Sequence, residues 1–326
     1  MGGQSWASDA ELAPLRRSFT LADLAPLAAA GVTATVVIQA VAEPWETPDL
    51  LALAAGWDPY TGRALGAGAG EPAGAGGLLA GVVGWTDLTA PDVADAVARL
   101  RAMPGGAFLC GIRHPVLAER DPGWLARRAV LAGLHALAGA GVAFDIVALP
   151  GQLPAAVTAA RSVPGLTFVL DHLGGPPAGT GRGATTGPWA AAVRSLAGLP
   201  NVTCKLSGGH TSGARAGDLR PYYQTVLAAF GPGRLLFGSD WPVSTLAAPY
   251  GQVCGMYREL TAQLSAGEQE AIFGGTARRV YHLRYPHLPG SASPGTPMST
   301  IFVWLDTRSS DFRAIPQRRR VVPHEV

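Results

Sequence analysis

Short apolar, β-branched segments alternate along the chain with longer Ala- and Leu-rich segments of helical period. Apolar runs of this length, without polar alternation, are typical of strands that are buried on both faces of a parallel sheet. The pattern predicts seven strands, at Thr33–Ala40, Leu79–Asp87, Ala107–His114, Val142–Ala148, Leu166–His172, Val202–Ser207 and Arg234–Asp240. It predicts helices at Leu21–Ala30, Pro91–Met103, Pro122–Ala140, Leu153–Ser162, Pro188–Leu199 and Asp218–Phe230.

Seven strand–helix units are one short of a closed barrel, which needs eight. The predicted helix Leu21–Ala30 has no strand before it, since residues 1–20 contain no β-type run. We therefore predict an α/β fold, a distorted TIM (β/α)8-type barrel with the first strand missing, followed by a poorly ordered C-terminal tail. An open doubly wound sheet is the rival fold, but no Gly-rich phosphate-binding turn follows the first strand.

Two segments fall outside the strand–helix rhythm. Residues 61–77 are rich in Gly and Ala and indicate a flexible insertion. The tail, residues 284–326, contains Pro-Gly-Ser clusters and is expected to be irregular, which leaves residues 1–283 as the barrel domain. The tail also holds one strand-like run, so Ser299–Asp306 is an alternative occupant of the vacant barrel position.

Composition narrows the classes of function. A net charge of +2 with 15% charged and 48% hydrophobic residues gives no indication of binding to nucleic acid or to an anionic membrane. No apolar segment is long enough to span a bilayer, and the first residues lack the features of a secretion signal. The three cysteines are widely spaced and odd in number, which indicates reduced thiols. We expect a cytoplasmic protein with a small-molecule substrate.

Polar or titratable residues lie at the end of every predicted strand except one, where a buried carboxylate lies within the strand. They are Gln39, Asp87, Arg113, His114, Asp145, Asp171, His172, Lys205, Asp240 and Trp241. The C-terminal ends of barrel strands surround one mouth, where active sites lie, so this set predicts a catalytic site. Lys205 is the only lysine among 25 Lys and Arg residues. Its compact, tunable charge differs from that of arginine, which favours a position inside the site over a solvated edge.

Three residues are the predicted catalytic groups. Asp240 is suited to act as a general base toward water or as a metal ligand, and the alternative is a cap for the following turn. His172 is suited to ligate a metal or to donate to a developing oxyanion, and the alternative is a structural histidine. Lys205 is the other candidate for oxyanion stabilisation.

We expect the substrate to contact Arg113, His114, Trp241 and His210. Arg113 suits a carboxylate or a polyhydroxy compound through bidentate hydrogen bonds, although only one of Arg113 and His114 can face the barrel axis in a regular strand. By the same alternation Asp171 is expected to pair outside the rim. Asp145 lies within a strand and is either a buried structural partner or a catalytic group.

Four motifs of this chain together resemble the amidohydrolase superfamily. They are Gly111-Ile-Arg-His114, Asp171-His-Leu-Gly174, Lys205-Leu-Ser-Gly208 and Phe237-Gly-Ser-Asp-Trp-Pro-Val243. The resemblance is closest to the amidohydrolase-2 branch of sugar-lactone and pyrone-dicarboxylate lactone hydrolases and covers about Leu15 to Leu283. It implies a distorted TIM barrel that hydrolyses a C–O or C–N bond, with Asp240 as base or ligand and His172 facing the site.

The chain departs from that family in two places. The family's first strand carries a His-x-His pair, whereas this chain has no histidine before His114. Near the end of the barrel, Gly274-Gly-Thr-Ala-Arg278 has Thr276 where the family usually has Asn. A catalytic zinc needs three protein ligands, and His172 and Asp240 are the remaining candidates. We predict weak or absent metal binding, with one zinc or manganese ion only where the missing strand is present.

The resemblance implies a hydrolase that opens a sugar or dicarboxylate lactone, with Asp240 activating water. An inactive, truncated barrel is the first alternative, and its unpaired edge strands near residues 33–40 and 234–240 would favour a homodimer. A metal-dependent decarboxylase from a neighbouring branch is the second alternative.

Overall fold

One parallel sheet organises the molecule, a computed structural model that describes residues 13–15, 17, 19, 23, 27, 30–59, 62–64, 78–177, 186–208, 216–283 and 298–303. Its eight strands follow the spatial order β7-β6-β5-β4-β3-β2-β1-β8. They are β1 (Val32–Ile38), β2 (Leu79–Gly84), β3 (Leu109–His114), β4 (Ala143–Ile146), β5 (Phe168–Leu170), β6 (Val202–Leu206), β7 (Leu235–Phe237) and β8 (Met298–Val303). Every neighbouring pair is parallel, so the carboxyl ends of all the strands lie at the same edge.

Helices connect the strands and cover the outer face of the sheet. They are α1 (Glu46–Ala54), α2 (Val93–Ala102), α3 (Arg128–Ala140), α4 (Leu153–Ser162), α5 (Gly187–Ala197), α6 (Ala216–Phe230), α7 (Tyr250–Thr261), α8 (Ala266–Glu270) and α9 (Thr276–Val280). A π-helical turn, Ala271–Gly275, joins α8 to α9. Short 3-10 helices lie at Ala13–Leu15, Gly106–Phe108, Val116–Ala118, Trp124–Ala126, Pro150–Gln152, His172–Gly174, Pro232–Arg234 and Val243–Leu246.

Helix ends follow the local sequence. Gly141 closes α3 in the left-handed conformation at φ 65°, which glycine adopts without steric cost. Ser265 begins α8 with a capping box, because its hydroxyl accepts from the backbone of Glu268 while the Glu268 carboxylate accepts from the Ser265 backbone. Within the part of the chain that the structure describes, no helix is both long enough and apolar enough to cross a membrane.

Alternating side chains divide the buried apolar residues into two layers. On β4, β5 and β7 the outward-facing residues pack against the helices, as Phe144, Phe168 and Phe237 do. A smaller cluster fills the interior of the curled sheet with Val36, Ile38, Val83, Ala143, Val169 and Leu236 from the strands. Residues at and after α9, among them Tyr281 and Leu283, pack against these strand residues and complete the inner layer.

All seven predicted strands are present, and the predicted TIM-barrel type of fold is confirmed. Most of the strands end before their predicted ends: β5 stops at Leu170 and β7 at Phe237. Several of the polar residues that were assigned to strand ends therefore lie in the loops that follow. Helices α1, α7, α8 and α9 were not predicted, and at α1 Pro48 and the polar residues at the start obscure the short helical period. The predicted helix Leu21–Ala30 lies largely outside the described residues.

Strand β8 occupies the position beside β1 where the first strand was predicted to be missing. The pairing is parallel and brings Val36 opposite Ile301 and Ile38 opposite Val303. The prediction that the β1 edge is unpaired was therefore wrong, since this strand from the predicted tail covers it. Among the described residues no strand precedes β1.

The structure describes only part of the predicted insertion and of the predicted tail. The tail is not irregular throughout, because β8 lies within it, and its other residues lie outside the described ones. Of the predicted insertion, residues 62–64 are described, and Ala64 forms an antiparallel bridge with Trp57. The division into a domain at residues 1–283 and a tail at residues 284–326 stays a prediction.

We expect a chain that ends at Leu283 to be less stable and to self-associate. Without β8 the N–H and C=O groups of β1 would form an open edge, which promotes pairing with other chains. A chain that ends at Val303 keeps β8 and is the matched control. Urea unfolding and light scattering after gel filtration measure both effects, and equal midpoints and masses for the two chains would contradict this role of β8.

Candidate active site

A buried cluster of four charged side chains lies inside the sheet. Lys205 faces inward from β6, and its Nζ lies 2.8 Å from Asp145 Oδ2 and 2.5 Å from Asp171 Oδ1. Arg113 faces inward from β3, and its Nη1 donates to Asp171 Oδ2 at 3.2 Å. The side chain of Lys205 is only 2% exposed. Two cations and two carboxylates balance each other, which is the condition under which charges are tolerated away from water.

The electrostatics of this cluster keep Lys205 charged. Burial alone would lower the pKa of Lys205, but the Asp145 and Asp171 carboxylates outweigh burial and raise it. Burial would raise the pKa of Asp171, but Lys205, His172 and Arg113 together hold it below its usual value. Burial raises the pKa of Asp145, and Lys205 offsets this only in part. Asp145 is therefore the carboxylate of the cluster that takes up a proton more readily.

Two further residues tie the cluster to the rest of the barrel. Tyr281 donates its hydroxyl to Asp145 Oδ2 at 2.8 Å, and burial followed by the Asp145 charge raises the pKa of Tyr281. Gln39 donates Nε2 to the carbonyl oxygen of Arg113 at 3.1 Å, while Arg113 Nη2 donates to the carbonyl oxygen of Gln39. The sequence analysis did not single out Tyr281, because it follows α9 and belongs to no strand end.

Asp171 lies inside the barrel, and the prediction that it pairs outside the rim was wrong. Val169 faces the interior from β5, and Asp171 follows two residues later on the same side. The strand has ended by then, and the backbone turns at His172 and Leu173, which have φ angles of 51° and 56°. This left-handed turn is uncommon for residues other than glycine and directs the His172 ring toward the mouth.

His172 and Asp240 face each other at the carboxyl ends of β5 and β7. His172 Nε2 lies 4.0 Å from Asp240 Oδ1, and the side chains are 26% and 7% exposed. Asp240 also has a left-handed backbone, at φ 54°. A separation of 4.0 Å is too long for a direct hydrogen bond, but one water or substrate oxygen beside the line that joins the two atoms could hydrogen-bond to both of them. Left-handed residues of this kind occur preferentially at functional sites.

The other side of the His172 ring contacts the end of β6. Nδ1 lies 2.8 Å from Ser207 Oγ, and Ser207 is buried. Gly208 lies directly against the ring, so that a β-carbon at this position would come within 2.6 Å of Nδ1. Gly208 has φ 77° as well, so both its space and its backbone conformation require glycine.

Two of the residues predicted to contact the substrate, Arg113 and His114, already bind other groups of the protein. Arg113 is buried, and both of its terminal nitrogens have partners inside the protein. His114 stacks on Trp124 with ring centroids 4.1 Å apart, and it contacts Trp85 Nε1 at 3.2 Å and Glu119 Oε1 at 2.8 Å. Burial lowers the pKa of His114, although Glu119 opposes this. His114 therefore has both ring nitrogens engaged.

The remaining predicted residues are divided between the mouth and its surroundings. Trp241 is buried and packs edge-to-face on Phe19, with centroids 5.3 Å apart, so it supports the loop after Asp240. Asp87 is exposed and accepts hydrogen bonds from the backbone and hydroxyl of Thr89, which is a local turn. His210 lies outside the described residues. The structure thus brings Asp240, His172 and Lys205 to one end of the barrel.

A catalytic zinc site of the usual kind is not complete among the described residues. His172 and Asp240 supply two candidate ligands at the mouth. Such a site takes three protein ligands and keeps a fourth position open. No group of three His, Cys, Asp or Glu side chains suited to a metal ion exists in the described part of the chain. The donor set therefore does not fit a zinc site, and we derive no step through a metal.

Known proteins share sequence similarity with this chain. The family model described as Amidohydrolase matches residues 6–283. The chain belongs to the amidohydrolase family. Over 220 residues it is 42% identical to an L-fucono-1,5-lactonase of Burkholderia multivorans, which covers 64% of this chain and 73% of that protein. An L-fucono-1,5-lactonase of Burkholderia ambifaria is 34% identical over 222 residues, covering 64% of this chain and 72% of that protein.

Solved structures support the fold. The crystal structure of an amidohydrolase from Burkholderia multivorans with bound zinc has a TM-score of 0.71 and 36% identity, and covers 84% of this chain and 92% of that one. A putative 2-pyrone-4,6-dicarboxylic acid hydrolase from Pseudomonas putida has a TM-score of 0.62 and 22% identity, and covers 81% and 87%. The latter likeness concerns the fold alone.

We expect Lys205→Met to lower the free energy of unfolding by about 3–5 kcal/mol, because it leaves two buried carboxylates opposite one cation. The wild-type pKa of Lys205 is raised, so its stabilisation is fully present below pH 10.5, the ordinary pKa, and is lost as the pH rises through the folded-state value. The difference between wild type and variant should therefore shrink in strongly alkaline urea titrations.

The double variant Lys205→Met with Asp145→Asn tests the cause. It removes one uncompensated carboxylate together with the ammonium, so it should recover part of the loss. Arg161→Met removes a cation from the exposed surface of α4 and should change stability by less than about 0.5 kcal/mol. A Lys205→Met protein as stable as wild type at pH 7 would show that the cluster is not needed for stability.

Proposed function

We propose that this protein is a hydrolase that opens a sugar lactone by attack of water on the lactone carbonyl. The observation that carries the proposal is the facing pair of His172 Nε2 and Asp240 Oδ1, 4.0 Å apart at the mouth of an amidohydrolase barrel. Two curated relatives named L-fucono-1,5-lactonase support the choice of a lactone as substrate.

In this mechanism Asp240 acts as the general base. Its carboxylate takes a proton from a water bound beside it, and the water oxygen forms a bond to the lactone carbonyl carbon. The carbonyl oxygen becomes an oxyanion that accepts a hydrogen bond from His172 Nε2. The ring C–O bond then breaks, and the proton held by Asp240 passes to the leaving ring oxygen. The product is an open-chain hydroxy acid, and the Asp240 carboxylate is restored.

His172 suits the oxyanion better than Lys205 does. The Lys205 ammonium lies between two carboxylates and is almost completely buried, so it has little capacity left for a substrate oxygen. His172 is the more exposed of the two residues and turns Nε2 toward Asp240. We assign Lys205 the role of neutralising Asp145 and Asp171 beneath the mouth, in place of the oxyanion role considered from the sequence.

The engaged state of Arg113 favours a neutral sugar lactone over a dicarboxylate. Arginine recognises a substrate carboxylate through two parallel N–H groups. In this chain one terminal nitrogen of Arg113 donates to Asp171 and the other donates to the Gln39 carbonyl oxygen. A dicarboxylate lactone would have to break these contacts, whereas the hydroxyl groups of a sugar lactone need no buried cation.

Three further features bear on the cofactor, the location and the oligomeric state of the protein. The amidohydrolase from Burkholderia multivorans was solved with bound zinc, whereas in this chain only two candidate ligands face the mouth among the described residues. All three cysteines are free, which is compatible with a reducing, cytoplasmic location. A homodimer would have the free side of β7 or of β8 as its available strand edges.

We expect Asp240→Asn to lower kcat for L-fucono-1,5-lactone by about 10²–10⁴-fold, because the amide cannot take the proton of water. KM should change much less. A pH-indicator assay on a panel of hexonolactones and 2-pyrone-4,6-dicarboxylate measures the rates, with and without added zinc. Asp95→Asn removes an exposed carboxylate from α2 and is the matched control. Equal rates for Asp240→Asn and wild type would rule out Asp240 as the base.

A further inference from the structure

Ser207 contacts the ring of His172, and the mechanism above leaves its hydroxyl without a role. We propose that Ser207 is a positioning residue that donates its hydroxyl proton to His172 Nδ1 and so fixes the single ring proton on Nε2, facing Asp240. This inference deepens the proposed function and rests on it for its kinetic consequences. Its structural part concerns the ring of His172 alone and can be tested without a substrate.

The position of Ser207 is rigid. It follows β6 directly, and it lies on the inward face of that strand together with Lys205 and Thr203. Lys205 is fixed by two carboxylates, and one of them, Asp171, directly precedes His172 in the chain. The backbone segments that carry Ser207 and His172 are therefore both tied to the same charged cluster.

Contacts on three sides leave the His172 ring little freedom. Ser207 Oγ lies 2.8 Å from Nδ1 at one edge, and Asp240 Oδ1 lies 4.0 Å from Nε2 at the other. Gly208 lies so close to the ring that a β-carbon there would be 2.7 Å from both Cβ and Cγ of His172. A ring flip would place a carbon atom beside Ser207 in the position of Nδ1. The ring would then lose its only hydrogen bond to the described residues.

The two nitrogens of the ring face groups of different charge. A neutral imidazole carries one proton, and the partner of each nitrogen decides where that proton resides. The negative carboxylate of Asp240 favours the proton on Nε2. Nδ1 is then a bare acceptor, and a serine hydroxyl can serve it because hydroxyls donate as well as accept. A carbonyl oxygen in the place of Ser207 would instead pull the proton to Nδ1.

The reaction needs this arrangement of protons. A donor to the oxyanion must carry a proton on the atom that faces the substrate, which is Nε2. With the proton on Nδ1, Nε2 would present a lone pair to a developing negative charge and would repel it. Ser207 therefore acts through His172 and touches neither the substrate nor the attacking water.

The first experiment reads the ring directly. Long-range proton–nitrogen correlation spectra of uniformly labelled wild-type protein report the tautomer of each histidine, and His172→Gln identifies the signals of His172. We expect the Nε2–H form in wild type and a mixture of the two forms in Ser207→Ala. A wild-type ring with its proton on Nδ1 would overturn the proposal, whether or not the protein hydrolyses lactones.

The second experiment measures kcat and KM on a lactone that the wild type hydrolyses. We expect Ser207→Ala to lower kcat by about 10- to 100-fold, less than loss of an oxyanion donor itself, with KM within about threefold. Ser207→Thr keeps the hydroxyl and should recover most of the rate. Thr203→Val removes another buried hydroxyl from the same face of β6, one that donates to the Phe168 carbonyl oxygen, and should stay within about twofold of wild type.

A double variant separates positioning from a general structural effect. In a His172→Ala background, Ser207→Ala should cause no further loss of kcat, because residues that act as a unit are not additive. An additional 10-fold loss in that background would overturn the proposal, as would a kcat for Ser207→Ala within twofold of wild type. Absence of lactone hydrolysis in wild type would contradict the proposed function, while the tautomer measurement would still decide the position of the proton.

Discussion

The ion cluster of Lys205, Asp145, Asp171 and Arg113 is the constraint on which the arrangement of this barrel depends. Four strands contribute to it or lead directly into it, and the loss of any single side chain leaves its charges unbalanced. Buried charges are costly unless they are paired, so the strands that carry them cannot shift relative to one another without a large loss. The cluster therefore fixes the register of β3 to β6 at the layer immediately below the mouth.

The proposed catalytic pair, His172 and Asp240, is built on that layer. Asp171 is held by Lys205 and Arg113, and the next residue in the chain is His172. Strand β5 is short, so the backbone can turn there into a left-handed conformation that places the ring toward Asp240. The strain of two neighbouring left-handed residues is offset by the buried contacts that surround them. The inward-facing residues of the ion cluster thus position the site, while the loop residues at the carboxyl ends of the strands carry the proposed chemistry.

The sequence was sufficient to predict most of the architecture and part of the site. Apolar runs identified seven strands, because a parallel strand that is buried on both faces consists almost entirely of apolar residues. The same reasoning placed Asp240, His172 and Lys205 at one end of the barrel. It misjudged Asp171, since strict alternation was applied across a residue at which the strand had already ended.

Other parts of the site were beyond such reasoning because they depend on distant contacts. Tyr281 reaches Asp145 from beyond the last helix, and no periodic pattern marks that contact. Arg113 has the right chemistry for a substrate, but only the structure shows that its nitrogens are engaged by Asp171 and Gln39. Ser207 lies in the motif Lys205-Leu-Ser-Gly208, but only the structure shows that its hydroxyl contacts Nδ1 of His172.

The placement of β8 has a consequence for how the chain reaches its native state. β1 emerges from the ribosome before the other described strands, whereas its neighbour β8 is made after every other described helix and strand. Contacts between such remote segments close slowly, because a long loop must be ordered before they form. Until β8 has been made, the β1 flank of the nascent sheet lacks this partner strand, so a chaperone that holds unfolded chains would have the longest time to bind there.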